Sequence, residues 1–559
     1  MAVFSGVVQV LPFPIAGPVP VWRTAFCWVA LMPLLIALTG EDAQGRPLGA
    51  RRGAVLSYSA GFLWYLGNCY WIYATMHEYG GIAKPAAAGI LVLFCLYLGL
   101  YHALFGALVA AFRKGRWGVR GALLLSPFAW VAVELARARI TGLPWDLMGI
   151  AQVDNPLLVR LAPVTGAYGL SFLIAGVNAL WLTRITLRER KHTRTVLSVM
   201  GVAAVVIYVA LLRTMEVPRS VAPTATAVLM QENLEVGAAN TGPQLSKTDM
   251  LRTFSGMSVS PPNTPVCNGI PELSTTTCAV SIYKMICLSV GKACLWPRDI
   301  VIWPESPAPF EESDPQFREA ISDLARETEA PVIVGNIGID RDASTKRGYD
   351  LRNSADFVAA NGSFVGRYDK MHLVPFGEYV PFKNFFFFAG SLLDDVGSFD
   401  PGTARTMFTT GGHTYGTFIC YESIFADEMR QYALHGADVL VNISNDGWYG
   451  DTSAAWQHLN MVRMRAAENH RWVLRATNTG VTASIDPYGR VVEAAPRHIR
   501  TALRVRFGYE TDVTFYARYG DWFAYLCALV TAGGLGFVMM SAASAGQRRF
   551  PSGMTNETK

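Results

Sequence analysis

Apolar runs long enough to cross about 30 Å of hydrocarbon recur through the first part of this chain and return once near its end, and they constrain its fold more than any other feature. Clear candidates cover residues 22–40, 54–75, 86–112, 121–140, 161–183, 196–213 and 521–543. A weaker stretch over 3–20 is interrupted by Pro12, Pro14, Pro18 and Pro20, and with it the count is eight. Hydrophobic residues make up 51% of the 559 and charged residues 16%, a balance expected of a membrane protein. The net charge of +5 gives no reason to expect a nucleic acid partner. Its placement is the informative part. Arg46, Arg51 and Arg52 share one loop, and Arg113, Lys114, Arg116 and Arg120 share the next but one. Arg184, Arg188, Arg190, Lys191 and Arg194 follow in a third, and Arg548 and Arg549 lie in the tail. Alternate loops carry the basic residues, so the positive-inside rule puts those loops and both termini in the cytoplasm. Buried helices of a soluble protein predict no such alternation. The N-terminus has no basic n-region, so no cleavable signal peptide is expected.

The same parity puts residues 215–520 on the outer side of the membrane, as one soluble-looking insert before the last span. Asp299–Trp303, Pro331–Ile339, Tyr415–Ile419 and Asp438–Ile443 read as strands, with helical stretches near 315–328, 424–435 and 455–472 between them. Pro315 just inside the first helix and Gly436 just past the second are start and stop signals. Asn361-Gly362 between alternating arms predicts a hairpin. Mixed strands and helices in this order point to a layered α/β sandwich. The expected division is a membrane part over 1–214 with helices 1–7, an outer α/β part over 215–510, and a final span with a short tail over 511–559.

Three residues in the outer part have the chemistry of a nucleophilic site. Thr417-Phe418-Ile419 delivers Cys420 to the polar turn Tyr421-Glu422-Ser423, and Val301-Ile302-Trp303-Pro304 delivers Glu305 in the same way. Between them, Lys370 sits in the polar stretch Arg367-Tyr368-Asp369-Lys370-Met371-His372. A thiol attacks as thiolate, and a nearby cation lowers its pKa. Lys370 can supply that cation and also hold an oxyanion beside a backbone N–H after Cys420. Glu305 can take the thiol proton and return it. Each alone has a plainer reading: a turn glutamate, a solvated lysine, a small buried hydrophobe. The last fits Cys27, Cys69, Cys95 and Cys527 in the spans. No Walker A loop, Gly-x-Ser-x-Gly elbow or His-Glu-x-x-His motif is present, which removes the commonest rival enzymes.

Glu, Lys and Cys in this order resemble the triad of the nitrilase superfamily. The wider match is similar to the apolipoprotein N-acyltransferase family, membrane enzymes whose nitrilase-like domain faces the bacterial periplasm. It rests on Trp303-Pro304-Glu305-Ser306, on Lys370-Met371-His372-Leu373-Val374-Pro375-Phe376-Gly377-Glu378-Tyr379-Val380-Pro381 and on Cys420-Tyr421-Glu422. Asn442 through Gly450, Trp456-Gln457-His458, Arg463 through Ala466, Arg475 through Gly480 and Thr141-Gly142-Leu143-Pro144-Trp145 extend it over nearly the whole chain. The resemblance implies a polytopic helical membrane domain of about eight transmembrane helices carrying an αββα domain. It implies two-step acyl transfer in the inner membrane: Cys420 takes an acyl chain from a phospholipid as a thioester. The chain then passes to the N-terminal amine of a diacylglyceryl-modified apolipoprotein, without cofactor or metal and in a monomer. Glu305 would act as base and then acid, Lys370 as oxyanion partner, and Glu378 would position Lys370. Tyr421 and Glu422 would shape the pocket, and Trp145, Phe376, Trp448 and Tyr449 would meet substrate.

Some features stand apart. Residues 253–297 are longer and more irregular than the resemblance implies, and Cys267, Cys278, Cys287 and Cys294 there admit three disulfide pairings. Their spacing is not that of a zinc ribbon. Phe385-Phe386-Phe387-Phe388 reads either as a lid that dips into the membrane interface or as a buried strand. Arg137 and Arg139 fall at an outer loop, against the charge trend, where they would contact a lipid phosphate or pair with Glu134. Two other functions fit the residues: a membrane-tethered amidase acting on a small amide or nitrile, and an inactive membrane scaffold.

Overall fold

The computed structural model describes residues 1–186, 222–237, 245–261, 298–305, 308, 310–342, 348–375, 377–379 and 399–547. Among the described residues, five helices are long and apolar enough to cross a membrane: Val21–Thr39, Lys84–Lys114, Gly118–Thr141, Val159–Arg184 and Trp522–Ser541. They cover five of the eight expected stretches. A sixth, near 54–75, forms the helix Ala50–Asn68, but Ser57, Ser59 and Asn68 leave it less apolar. The prolines after Leu11 reduce the weak first stretch to the helix Ala2–Val10, whose nine residues span only about 14 Å. The stretch 196–213 lies outside the described residues.

Lipid offers no hydrophobic drive for helices to associate, so close backbone approach through small residues takes its place. A Cβ on Gly53 would lie 2.6 Å from the Gly106 carbonyl oxygen, so Ala50–Asn68 and Lys84–Lys114 touch backbone to backbone. The helix through Ala162 kinks at Gly166, with φ +63, where the Tyr516 ring packs against the missing side chain. That contact seats the outer domain's last segment on the membrane half. Arg139 adds a second tie, binding Asp427 at 3.1 Å and Asp521 at 2.7 Å. Arg137 is buried instead, donating to the Tyr65 hydroxyl at 3.1 Å with Trp64 and Tyr65 beside it. The Glu134 carboxylate accepts from Trp130 and the Met148 N–H rather than from either arginine.

The outer domain has twelve strands among the described residues: β1 (Ala225–Gln231), β2 (Ile300–Ile302), β3 (Val332–Arg341), β4 (Tyr349–Val358), β5 (Phe364–Asp369), β6 (Met407–Thr410), β7 (His413–Ile419), β8 (Val439–Ser444), β9 (Val473–Thr477), β10 (Ala483–Ile485), β11 (Val491–Ala494) and β12 (Thr501–Phe507). They form two six-stranded sheets, ordered β12-β1-β2-β3-β4-β5 and β11-β10-β9-β8-β7-β6. The central strands, β1 to β3 and β7 to β9, are parallel and rich in Val, Ile and Leu because both faces are covered.

Period-two alternation divides each strand between two cores. Ala227, Leu229, Ile300, Ile302 and Ile333 face the other sheet, meeting Ile419, Val441, Ile443 and Leu474. Val228, Val301, Val332 and Val334 face outward, under Phe317, Ile321 and Leu324 of the helix Pro315–Thr328 and Met250 and Phe254 of the helix Lys247–Val259. On the far side, Phe418, Leu440 and Val473 pack beneath the helices Ala426–Leu434 and Ala454–Asn469. The result is helix, sheet, sheet, helix. Asp314 caps Pro315–Thr328 through the Gln316 N–H at 2.8 Å, and Asn361-Gly362, with φ +86 at the glycine, joins β4 to β5. The irregular stretch expected from 253 begins inside Lys247–Val259; its four cysteines and Phe385–Phe388 lie outside the described residues.

Candidate active site

β2, β5 and β7 end on the same side of the sandwich, and the residues just beyond them are Glu305, Lys370 and Cys420. All three are buried. Lys370 Nζ lies 3.1 Å from Glu305 Oε1 and 3.0 Å from the Glu378 carboxylate. Asn353 Nδ2, one strand over on β4, donates to both carboxylates, at 2.7 Å to Glu305 and 2.6 Å to Glu378. The Asn445 N–H, at the end of β8, donates to the other Glu305 oxygen at 2.8 Å, and the Val374 N–H donates to Glu378 at 2.8 Å. Glu305 is therefore held at both oxygens. Its ammonium partner can turn toward a third group without setting the carboxylate free.

Burial works against charge on Lys370, but Glu305 and Glu378 outweigh it and hold the ammonium pKa well above its ordinary value. The Cys420 thiol is pushed up, first by burial and then by Glu305, with Lys370 pulling the other way. Burial thus favours the thiol over the thiolate, and a carboxylate held in place as Glu305 is has the chemistry to accept a proton from a neighbouring thiol. Cys420 also starts the tight turn Cys420–Ile424 with φ +51, a conformation disfavoured for a residue with a side chain and one often found at nucleophiles.

Glu422 ties the two halves of the site together. Its carboxylate accepts from the Ile419 N–H at 2.7 Å, just before Cys420, and from the Met371 and His372 N–H groups at 2.8 and 3.1 Å, just after Lys370. The Tyr368 hydroxyl donates to it at 2.7 Å. Burial pushes the Glu422 carboxyl up while these bonds pull it down. The Tyr421 hydroxyl reaches the Gly142 carbonyl of the membrane half at 3.2 Å.

The expected substrate-contacting residues separate. Trp145 is only 2% exposed and donates its indole N–H to Gln457 at 2.9 Å, so it lies behind the turn rather than on an open surface. Tyr449 is buried against Trp71, with ring centroids 5.3 Å apart. Trp448 is 43% exposed, and its carbonyl accepts from Thr75 of the membrane half at 3.1 Å. Phe376 lies outside the described residues. Sequence reasoning did not single out Asn353, Tyr368 or the Asn445 N–H. Asn353 is one polar residue within a strand and carries no local signal, whereas Asn445 lies in a motif block already noted.

A further carboxylate flanks the site. The Asn233 N–H donates to the Asn478 carbonyl at 3.0 Å, and Asn478 donates to Asn445 at 3.0 Å. Beside Asn233, Glu232 is buried with one oxygen lacking a hydrogen-bond partner. Burial pushes this carboxyl up to about 8, with Arg500 opposing. The unfolded chain releases the same proton near an ordinary value of about 4.3. Between those values the folded state holds a proton that the unfolded state has lost, so the group's cost to stability grows as pH rises and is complete above about 8. Glu232→Gln should raise the melting temperature at about pH 9 and leave it unchanged near pH 4. An equal effect at both, in a thermal scan, would rule out this carboxylate as the source.

Comparison with known proteins follows the same division. A family model described as carbon-nitrogen hydrolase matches residues 269–504, and one described as apolipoprotein N-acyltransferase N-terminal domain matches residues 5–180. The chain is 34% identical to an apolipoprotein N-acyltransferase of Geobacter metallireducens, over 94% of this chain and 92% of that one. It is 30% identical to an apolipoprotein N-acyltransferase of Haemophilus influenzae, over 95% and 92% respectively. Among solved structures, an amidase of the nitrilase superfamily from Nesterenkonia aligns with 15% identity and a TM-score of 0.35, covering 56% of this chain and 99% of that one.

Proposed function

The chain belongs to the apolipoprotein N-acyltransferase family, and from that premise we propose that Cys420, Glu305 and Lys370 carry out a ping-pong acyl transfer from a phospholipid to a lipoprotein amine. Cys420 sulfur attacks the ester carbonyl of the phospholipid. The C–S bond forms as the thiol proton passes to Glu305, and the oxyanion is held by Lys370 and the Tyr421 N–H. The C–O bond then breaks, Glu305 returns the proton to the glyceryl oxygen, and a lysophospholipid leaves. In the second half, the N-terminal amine of a diacylglyceryl-cysteine attacks the thioester. A C–N bond forms, the C–S bond breaks, and the amine proton returns to sulfur through Glu305.

The observation that carries this reading is the pairing of Glu305 with Lys370 at 3.1 Å, buried beyond the ends of β2 and β5 of one sheet, together with a thiol whose charge both groups influence. A lipid donor fits a protein with five candidate spans among the described residues, whose outer domain is tied to the membrane half through the Arg139–Asp427 pair and Tyr421. We read residues 1–214 as the membrane part, 215–510 as the catalytic part, and 511–559 as the last span and tail. We read the basic loops and the C-terminal tail as cytoplasmic and the catalytic part as facing the periplasm of a bacterial inner membrane. Glu378 and Asn353 position Lys370, and Tyr449 and Trp448 flank the approach.

Intact-protein mass spectrometry tests it, using the purified full chain incubated with phospholipid alone. The expected result is a mass gain of one acyl chain that hydroxylamine removes and that Cys420→Ala lacks. Folded protein without any adduct would return the choice to an amidase or a scaffold.

A further inference from the structure

Behind Cys420 lies a buried polar assembly that the proposed proton transfers do not use. His458 Nε2 sits 3.1 Å from the Cys420 carbonyl oxygen and 2.7 Å from Ser423 Oγ, so one ring nitrogen meets two points of the strained turn. Its Nδ1 lies 2.9 Å from Asp446 Oδ1. A carboxylate only accepts, so Nδ1 carries a hydrogen and the ring cannot flip without losing that bond. Asp446 is fixed in turn by Arg475 at 2.5 Å and Ser444 at 2.8 Å. Burial opposes its charge, but Arg475 and His458 outweigh burial and hold the carboxyl well below the usual range.

The face of the ring belongs to the membrane half. The Trp145 indole stacks on it, with centroids 6.1 Å apart and planes 26° apart. Trp145 donates to Gln457 Oε1 at 2.9 Å, and Gln457 donates to the Asn68 carbonyl at 2.9 Å and the Pro14 carbonyl at 3.1 Å. Trp145, Gln457, His458 and Asn68 are all buried. Three separate membrane-domain segments thus reach the turn Cys420–Ile424 through one imidazole, whose Nε2 accepts from the Ser423 hydroxyl.

We propose that His458, locked by Asp446 and by Trp145 of the membrane half, is a positioning residue that holds the Cys420 turn so that the thiol stays beside Lys370. Trp145 then acts through His458 and not on the acyl chain. The proposal rests on the reading of Cys420 as nucleophile. Burial raises the thiol's pKa most, Glu305 and Asp446 add to it, and Lys370 and a hydrogen bond with Ser444 oppose it; a relaxed turn changes the thiol's spacing to Glu305 and Lys370.

The test is the pH profile of Cys420 alkylation by iodoacetamide on the full chain in detergent, with the adduct located by peptide mass spectrometry. For His458→Asn and Trp145→Leu the profile should move to higher pH by about one unit, and the rate at neutral pH should fall about tenfold, with the melting temperature near that of the parent. Trp145→Phe, which keeps a ring on His458, should recover most of the rate. Superimposable profiles overturn the proposal, because a residue that only fills space leaves a loosened thiol as reactive or more so. Equal rates for Trp145→Phe and Trp145→Leu also overturn it, and that pair decides the matter if His458→Asn does not fold. A parent Cys420 that never reacts would remove the nucleophile reading itself, and this proposal with it.

Discussion

Lys370→Met should slow formation of the acyl-enzyme by about 10³-fold or more, because one substitution removes two contributions. The first is the charge that meets the oxyanion in the mechanism we propose. The second is the state of the base. Glu305 and Glu378 both lie within 3.1 Å of the ammonium and share the Asn353 amide. Without the cation, two buried carboxylates face each other, and one of them must take up a proton. If that is Glu305, the base is lost even where substrate still binds. Stability should show the same coupling. Breaking a buried ion pair by deleting one partner costs about 3–5 kcal/mol when a charge is stranded, so the variant should melt lower than its parent above neutral pH. Acidification supplies the missing proton to the folded state before the unfolded one needs it, so the deficit should shrink toward about pH 5. Single-turnover acylation followed by mass spectrometry, with thermal scans across pH, checks both. An acylation rate within about tenfold of the parent would exclude Lys370 from the chemistry.

What the sequence made legible was what local pattern encodes. Pro315–Thr328 begins where Pro315 predicts, because proline at the first turn costs no hydrogen bond and Asp314 caps the orphan N–H groups. β2, β3, β7 and β8 were readable as short apolar runs because parallel strands buried on both faces leave little room for polar residues. The membrane spans showed through composition, and the one that came out as a half-length helix was the one its prolines had marked. Side-chain partnerships made across the fold were not legible. Asn353 and Tyr368 look ordinary on alternating strands, and only the pairing of β3, β4 and β5 brings Asn353 to Glu305 and Glu378. Trp145 stood out as part of a motif, and a tryptophan in a membrane loop suggests a lipid contact. Its burial against His458, 313 positions later, follows from how two domains meet, which no local spacing carries.

Glu422→Ala should be the most destabilising single change in the catalytic domain outside the ion-pair cluster, at about 3–5 kcal/mol. The carboxylate accepts from three backbone N–H groups and one tyrosine hydroxyl, and the backbone groups belong to different sheets: Ile419 ends β7, while Met371 and His372 follow β5. Alanine leaves these donors buried without acceptors, and each costs about 1–3 kcal/mol unless water reaches it. Glu422→Gln separates charge from geometry. A carboxamide has one acceptor oxygen, so its NH₂ must face either the Ile419 N–H or the Met371 and His372 pair, donor against donor. It should therefore recover part of the stability and little of the rate. The rate matters because Glu422 sets the spacing between the strand that ends at Cys420 and the strand that ends at Lys370. A misplacement on the order of 1 Å between reacting groups costs about 10²-fold. Chemical denaturation of the detergent-solubilised chain gives the first quantity and single-turnover acylation the second. If Glu422→Gln acylates as fast as the parent, the link between the two strand ends does not position the reacting groups, and Glu422 serves the fold alone.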